Sequence, residues 1–293
     1  MKKKRETLIT VILIFIFLAG LSVMLYPTVS NWWNQRMQMK AIVEYKETVA
    51  QLDEKEIDAR IAEAREYNRK LAMLSAPFRN YDQIEGYDDI LDISGTGIMG
   101  YITIPCIRVE LPIYHGTDEG VLQIAAGHIK GSSFPVGGAS THSVISGHRG
   151  LPSAKLFSDL DDMVEGDIFT VNVLNEVLTY EVEKIIKILP DQTEELAIIP
   201  QEDYMTLMTC TPYGVNTHRL LIRAHRIDNF NQGRRVKVPA DALQVDRMTI
   251  MPLILVPLIA VLVIYWIITG KRKKDMYIDK YIIEKIKLPK DGE

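Results

Sequence analysis

Apolar and polar positions divide this chain into unlike stretches. From Thr7 to Pro27 there is no charged residue, a run long enough to cross a bilayer as a helix of about 20 residues. A second uncharged run covers Met248 to Gly270. Between them, residues 31–74 are rich in Ala, Glu, Lys, Arg and Gln, with Ile42, Val43, Val49 and Leu52 at helical spacing. That periodicity predicts a helix or helical pair rising from the membrane. Residues 76–89 break it and read as an ordered loop or short helix. After Ser94-Gly95-Thr96-Gly97 the chain becomes short runs of Val, Ile, Thr and Tyr punctuated by Gly, Pro, Asn and Asp, the pattern of an all-β barrel or sandwich. Strands are expected at 99–104, 108–114, 143–146, 167–174, 177–188, 204–210 and 219–227. Leu174-Asn175-Glu176-Val177 suits a hairpin turn, and 152–160 a short helix.

Charge orients this layout. Lys2-Lys3-Lys4-Arg5 precedes the first apolar run and Lys271-Arg272-Lys273-Lys274 follows the second, so both termini are expected in the cytoplasm and the intervening segment outside. The domain reading is a cytoplasmic N-terminus (1–6), a transmembrane helix (7–27) and an extracellular helical segment (28–96). A catalytic β-barrel (97–228), a linker (229–247), a second transmembrane helix (248–270) and a cytoplasmic basic tail (271–293) complete it. Pro252 and Pro257 are compatible with a membrane helix. A cleaved signal peptide is the alternative for the first run, but no small-x-small cleavage site follows it. With a formal net charge of −4 and no dense basic face outside the membrane flanks, nucleic acid is excluded as a partner.

The only two cysteines, Cys106 and Cys210, both fall in the external segment. A disulfide is the structural reading of such a pair in an oxidising compartment. Cys210, however, ends one apolar strand and Arg219 opens the next, so a hairpin brings a thiol and a guanidinium to one mouth. A thiolate is the strongest ordinary nucleophile near neutral pH, and guanidinium suits a developing oxyanion. Thr206 and Thr209 are expected to place hydroxyls on the face opposite Leu207 and Met208. Six histidines, at 115, 128, 142, 148, 218 and 225, are candidate proton carriers. None has the spacing of a zinc site, and no metal or other cofactor is expected. His148 stands at a strand-to-loop exit, where catalytic residues are commonly presented.

Several motifs in order carry a family resemblance. Leu207-Met208-Thr209-Cys210 with Arg219 nine positions later, the run Gly147-His148-Arg149-Gly150-Leu151-Pro152, Gly100-Tyr101-Ile102-Thr103-Ile104-Pro105 and Leu111-Pro112-Ile113-Tyr114-His115-Gly116-Thr117 resemble the sortases. So does the stretch from Gly127-His128-Ile129-Lys130 to Gly137-Gly138. Together with the two-span layout, the likeness is to the class C, pilin-polymerising sortases. It implies an eight-stranded barrel and a membrane-anchored cysteine transpeptidase. By motif, Cys210 would be the nucleophile, His148 the general acid and base, and Arg219 the stabiliser of the oxyanion or of substrate backbone. Thr209 would line the substrate site, and His142 would be structural. The implied donor is a surface protein or pilin bearing a Leu-Pro-x-Thr-Gly-like signal. The implied acceptor is an amine, either a pilin lysine or the lipid-linked wall precursor.

One departure stands out. Class C sortases often carry a lid with an Asp-Pro-aromatic motif, and the nearest equivalent here, Ala76-Pro77-Phe78, lacks the Asp. Pro77 and Phe78 would then form a weakened lid. Three functions follow from the residues and the resemblance: a pilus-type transpeptidase, a sortase anchoring proteins to the wall, and a non-catalytic membrane-anchored scaffold with Cys210 merely buried.

Overall fold

The structure, a computed structural model, describes residues 2–229 together with 257, 259 and 281. The expected linker, second membrane helix and basic tail lie outside the described residues, apart from those three isolated positions. Two compact units divide the chain: residues 1–25 with 242–293, and residues 26–241.

Helix α1 covers Lys2–Val49 with Pro27 inside it. Its apolar part holds a window of mean hydropathy 2.9, none of it buried, and is a candidate membrane anchor. Helix α2, Glu54–Ala72, begins on a capping box in which Asp53 accepts from the Glu56 N–H and Glu56 accepts from the Asp53 N–H, satisfying two otherwise orphaned donors. Ile57, Ile61, Ala64, Asn68 and Leu71 are buried along one stripe of it, and its apolar members join the barrel core. The amide of Asn68 clasps both backbone groups of Phe134, at 3.0 and 2.7 Å. From α1, the Tyr45 hydroxyl donates to Met99 O and accepts from Leu174 N. The helical pair therefore lies on the barrel instead of rising free of it, because each helix has an apolar stripe that only the barrel can cover. The short helix α3, Pro77–Asn80, follows.

The remainder is a closed barrel of eight strands, in the order β1-β2-β3-β4-β7-β8-β6-β5: β1 Ile98–Ile104, β2 Val109–His115, β3 Ala126–His128, β4 Thr141–Ser146, β5 Ile168–Val173, β6 Glu176–Ile188, β7 Asp203–Thr211 and β8 His218–Ile227. The β2–β3 and β4–β7 pairs are parallel and the others antiparallel. Seven strands fall where the alternation predicts them. The three-residue β3 was not anticipated, since Ala126-Gly127-His128 has no length over which alternation shows. A four-residue helix, α4, Glu119–Leu122, precedes it. The helix expected over 152–160 is absent: that stretch is turns, with Leu156 at φ +42°, ending in a 3-10 turn at Leu160–Asp162.

Two histidines, His128 and His142, are buried. Burial pushes the imidazoles of His128 and His142 down from 6.5 to about 4, so both are neutral in the folded chain near pH 7. On acidification the unfolded chain takes up protons below about 6.5, while the folded chain resists until about 4. Stability is thus present above 6.5 and lost as pH falls towards 4, by roughly 3 kcal/mol per histidine. Denaturant midpoints measured at pH 7 and 4.5 check this: the drop should shrink in His128→Gln, and an equal drop in both proteins would refute the assignment.

Candidate active site

Backbone register brings the predicted residues together. Strands β7 and β8 pair with Cys210 directly opposite Arg219. The parallel β4–β7 register pairs Ser146 with Met208, and the Gly147 N–H donates to Met208 O at 3.0 Å. His148 and Cys210 each lie two residues further along, so His148 leaves β4 abreast of Cys210. The three residues expected to act together thus arrive at one end of three adjacent strands.

Period-two alternation sets the face they share. Val144, Met208 and Leu221 point away from the barrel core and cluster with Ile186, Ile188, Leu196, Ile129 and Phe78. Cys210 is two residues from Met208, and Arg219 is two from Leu221, on the same face. An apolar trough therefore runs along the outside of β4, β7, β8 and β6 and ends at Cys210, His148 and Arg219. Leu196, between β6 and β7, forms one wall. It is held by His142, whose Nδ1–H donates to Ala197 O at 2.9 Å while Nε2 accepts from the Thr206 hydroxyl at 2.8 Å. Ala197 O can only accept, which fixes that tautomer.

Thr209 is placed otherwise than expected. Thr206 and Thr209 are three residues apart, so they lie on opposite faces. Thr209 is buried and donates to Gly147 O at 2.7 Å. Its hydroxyl does not line the trough; it locks β7 to the backbone immediately before His148.

Contacts that the sequence does not display support the site. Gly147 lies against the buried Phe157 ring, where a Cβ would come within 2.7 Å of ring carbon, so no larger residue fits there. Arg149, nearly buried, pairs with Asp161 and reaches Thr211 Oγ1 at 3.4 Å, joining the β4 exit to the residue after Cys210. On α4, the exposed Glu119 carboxylate lies 3.9 Å from His148 Nε2. Arg219 is half-buried, and its Nη1 donates to Asn216 O and His218 O at 3.3 and 3.2 Å. Gly147 and Arg149 were visible as the neighbours of His148 in its motif, and Arg219 was expected; the roles of Phe157, Asp161 and Glu119 depend on non-local packing.

Both cysteines are free thiols, so the disulfide reading falls. They differ in environment. Cys210 is half-buried at the trough's end. Cys106 is exposed as a residue, yet partial burial of its thiol, and next the neighbouring Asp167 carboxylate, push it up to about 12.

Pro77 and Phe78 sit over the trough. Phe78 packs on the apolar cluster, and a cavity of about 370 Å³ beside it is lined by Gly131, His142, Leu196 and Ala197 among others. The approach is tight: a Cβ on Gly131, itself at φ +87°, would lie 2.7 Å from Phe78 Cα.

Comparison with known proteins agrees with this geometry. Residues 102–227 match the sortase domain family. A sortase A of Streptococcus agalactiae serotype III is 31% identical over 130 residues, covering 43% of this chain and 52% of that protein. The chain spans between 52% and 58% of the length of the curated relatives it matches. Among solved structures, sortase C1 of Streptococcus agalactiae is 49% identical with a TM-score of 0.59, covering 65% of this chain and 99% of that one. Sortase C of Streptococcus pneumoniae is 44% identical with a TM-score of 0.58, covering 64% and 97%. By fold, by motif order and by near-complete coverage of these solved relatives, the chain belongs to the sortase family and groups with its class C members.

Proposed function

We propose that this chain is a membrane-anchored cysteine transpeptidase that cleaves a Leu-Pro-x-Thr-Gly-like sorting signal and passes the acyl group to an amine, most fittingly a pilin lysine. One observation carries the reading: a thiol, an imidazole and a guanidinium stand at the end of an external apolar trough. The trough suits an extended peptide with apolar residues ahead of the scissile bond.

In this reading Cys210 attacks the carbonyl carbon of Thr, the Thr–Gly bond breaks as His148 protonates the departing glycine amine, and a thioester remains. The incoming amine then attacks, gives its proton to His148 and restores the thiol. Arg219 supplies charge-assisted hydrogen bonds as negative charge develops on the carbonyl oxygen, after its guanidinium turns from the carbonyls of Asn216 and His218. Membrane spans at 7–27 and 248–270, with the barrel outside, would hold donor and acceptor at one surface and raise their effective concentration. A pilin acceptor is favoured over the wall precursor by the grouping with sortase C structures, one of which is described with pilin substrate specificity.

Intact-mass measurement of the full chain in detergent, incubated with a panel of sorting-signal peptides, tests the proposal. The expected result is an adduct of the peptide's N-terminal fragment on Cys210, released by a pilin-derived lysine peptide faster than by a wall-precursor amine. No cleavage and no adduct with any peptide would favour the scaffold reading.

The Pro77–Phe78 segment acts in this proposal as a lid seated on the substrate trough. Lacking an acidic residue at position 76, it is held on the trough by the apolar contact of Phe78. Phe78→Ala should therefore speed peptide hydrolysis by about three- to tenfold by emptying the trough. Gly131→Ala should do the same by displacing the lid backbone. Unchanged rates in both variants would reduce the segment to a linker.

A further inference from the structure

We infer that Asn31, Asn34 and Gln38 of α1 are positioning residues that clamp the two loops flanking His148, so that the helix leading from the membrane segment sets the reach of the catalytic imidazole. This inference rests on the transpeptidase reading.

Three hydrogen bonds make the clamp. The Lys155 N–H donates to Asn31 Oδ1 at 2.8 Å, Asn34 Nδ2 donates to Ser153 O at 2.8 Å, and Gln38 Nε2 donates to Ile124 O at 2.7 Å. The three residues fall at i, i+3 and i+7, one stripe of the helix. Each partner is a backbone group, so the donor and acceptor atoms of every amide are fixed without ambiguity.

Both held loops lead to His148. Ser153 and Lys155 belong to the connection that begins at His148 and closes on it, for the Phe157 N–H donates to His148 O at 3.1 Å and the Phe157 ring abuts Gly147. Ile124 ends the segment begun by α4, whose Glu119 carboxylate lies 3.9 Å from His148 Nε2. Helix α1 therefore holds the loop that carries the imidazole and the loop that faces it. The remainder of the 148–157 connection is turns, with no ladder of its own to fix its position. A displacement of the order of 1 Å at a catalytic group is enough to cost up to about 100-fold in rate, so a loop pinned at its middle from outside is a control point. The anchors begin four positions after Pro27, and Asn31 and Asn34 still precede Arg36, the first charged residue after Glu6.

The chemistry of each amide gives a test that packing alone would not pass. Asn31 accepts, so Asn31→Asp keeps its bond; Asn34 and Gln38 donate, so Asn34→Asp and Gln38→Glu set a carboxylate against a carbonyl oxygen. In the full chain in detergent, Asn34→Asp and Gln38→Glu should each lower kcat by about tenfold, with KM within about twofold. Asn31→Ala should fall likewise, and Asn31→Asp should restore most of the rate. Hydrogen exchange over 148–157 should quicken in Asn34→Asp and not in Asn31→Asp, while β7 amides report that the barrel is intact. Equal kcat and equal exchange in Asn34→Asp and wild type would overturn the clamp. Quickened exchange in a chain that never forms an adduct at Cys210 would instead keep the clamp and sink the transpeptidase reading.

Discussion

Cys210→Ala is expected to abolish formation of the acyl adduct and all peptide transfer, while Cys106→Ala keeps both at near wild-type rates. The contrast follows from environment. Cys210 stands opposite Arg219, abreast of His148 and at the end of an apolar trough, where a bound peptide presents its carbonyl and a cation awaits the oxyanion. Cys106 is the more exposed residue, but partial burial of its sulfur and the carboxylate of Asp167 hold its thiol near 12. Almost none of it is thiolate at neutral pH, and the thiolate is the reacting species. Loss of a covalent nucleophile removes the pathway itself, a cost on the order of a millionfold for residues that act as a unit. A thiol-directed vinyl sulfone at pH 7.5 gives an independent reading: label should appear on Cys210 and stay below detection on Cys106. Equal labelling of the two, or transfer surviving in Cys210→Ala, would dismiss the nucleophile.

Much of this site was legible because strands keep strict alternation. Cys210 and Arg219 pair one step back from an exposed six-residue loop, 212–217, so their meeting follows from the hairpin alone. His148 was harder. Its approach to Cys210 depends on the parallel β4–β7 pairing between segments about 60 residues apart, which no local pattern encodes, and it was drawn from six histidines by motif resemblance. The trough was not legible at all. Val144, Met208 and Leu221 share their strand faces with polar residues, His142 and Ser146, Thr206, and Arg219 and Arg223, so alternation does not mark that face as one that gathers an apolar cluster. The same ambiguity misplaced Thr209. Its parity puts it with Leu207, inside, and its hydroxyl found the Gly147 carbonyl. Helices α1 and α2 were visible as periodic stretches, but which surface covers their apolar stripes depends on non-local packing on the barrel, fixed in register by contacts such as Asn68 with Phe134.

His148→Ala should lower kcat for transfer from an amide peptide by about a thousandfold, within the range for loss of a positioned general acid and base. The larger claim is that the loss depends on the leaving group. An amine departs poorly from a tetrahedral intermediate unless it is protonated, whereas the oxygen of an activated ester leaves without help. With an activated ester carrying the same acyl peptide, the penalty in His148→Ala should therefore shrink to about tenfold. The residual loss reflects the second half-reaction, in which His148 takes a proton from the attacking amine. His142→Gln offers the comparison, because His142 is buried against Thr206 and Ala197 and has no route to the reacting atoms. Its effect should act through the Leu196 wall, raising KM and falling equally on amide and ester. If His148→Ala also loses equal factors on both substrates, the imidazole does no proton transfer to the leaving group, and its place beside Cys210 is structural.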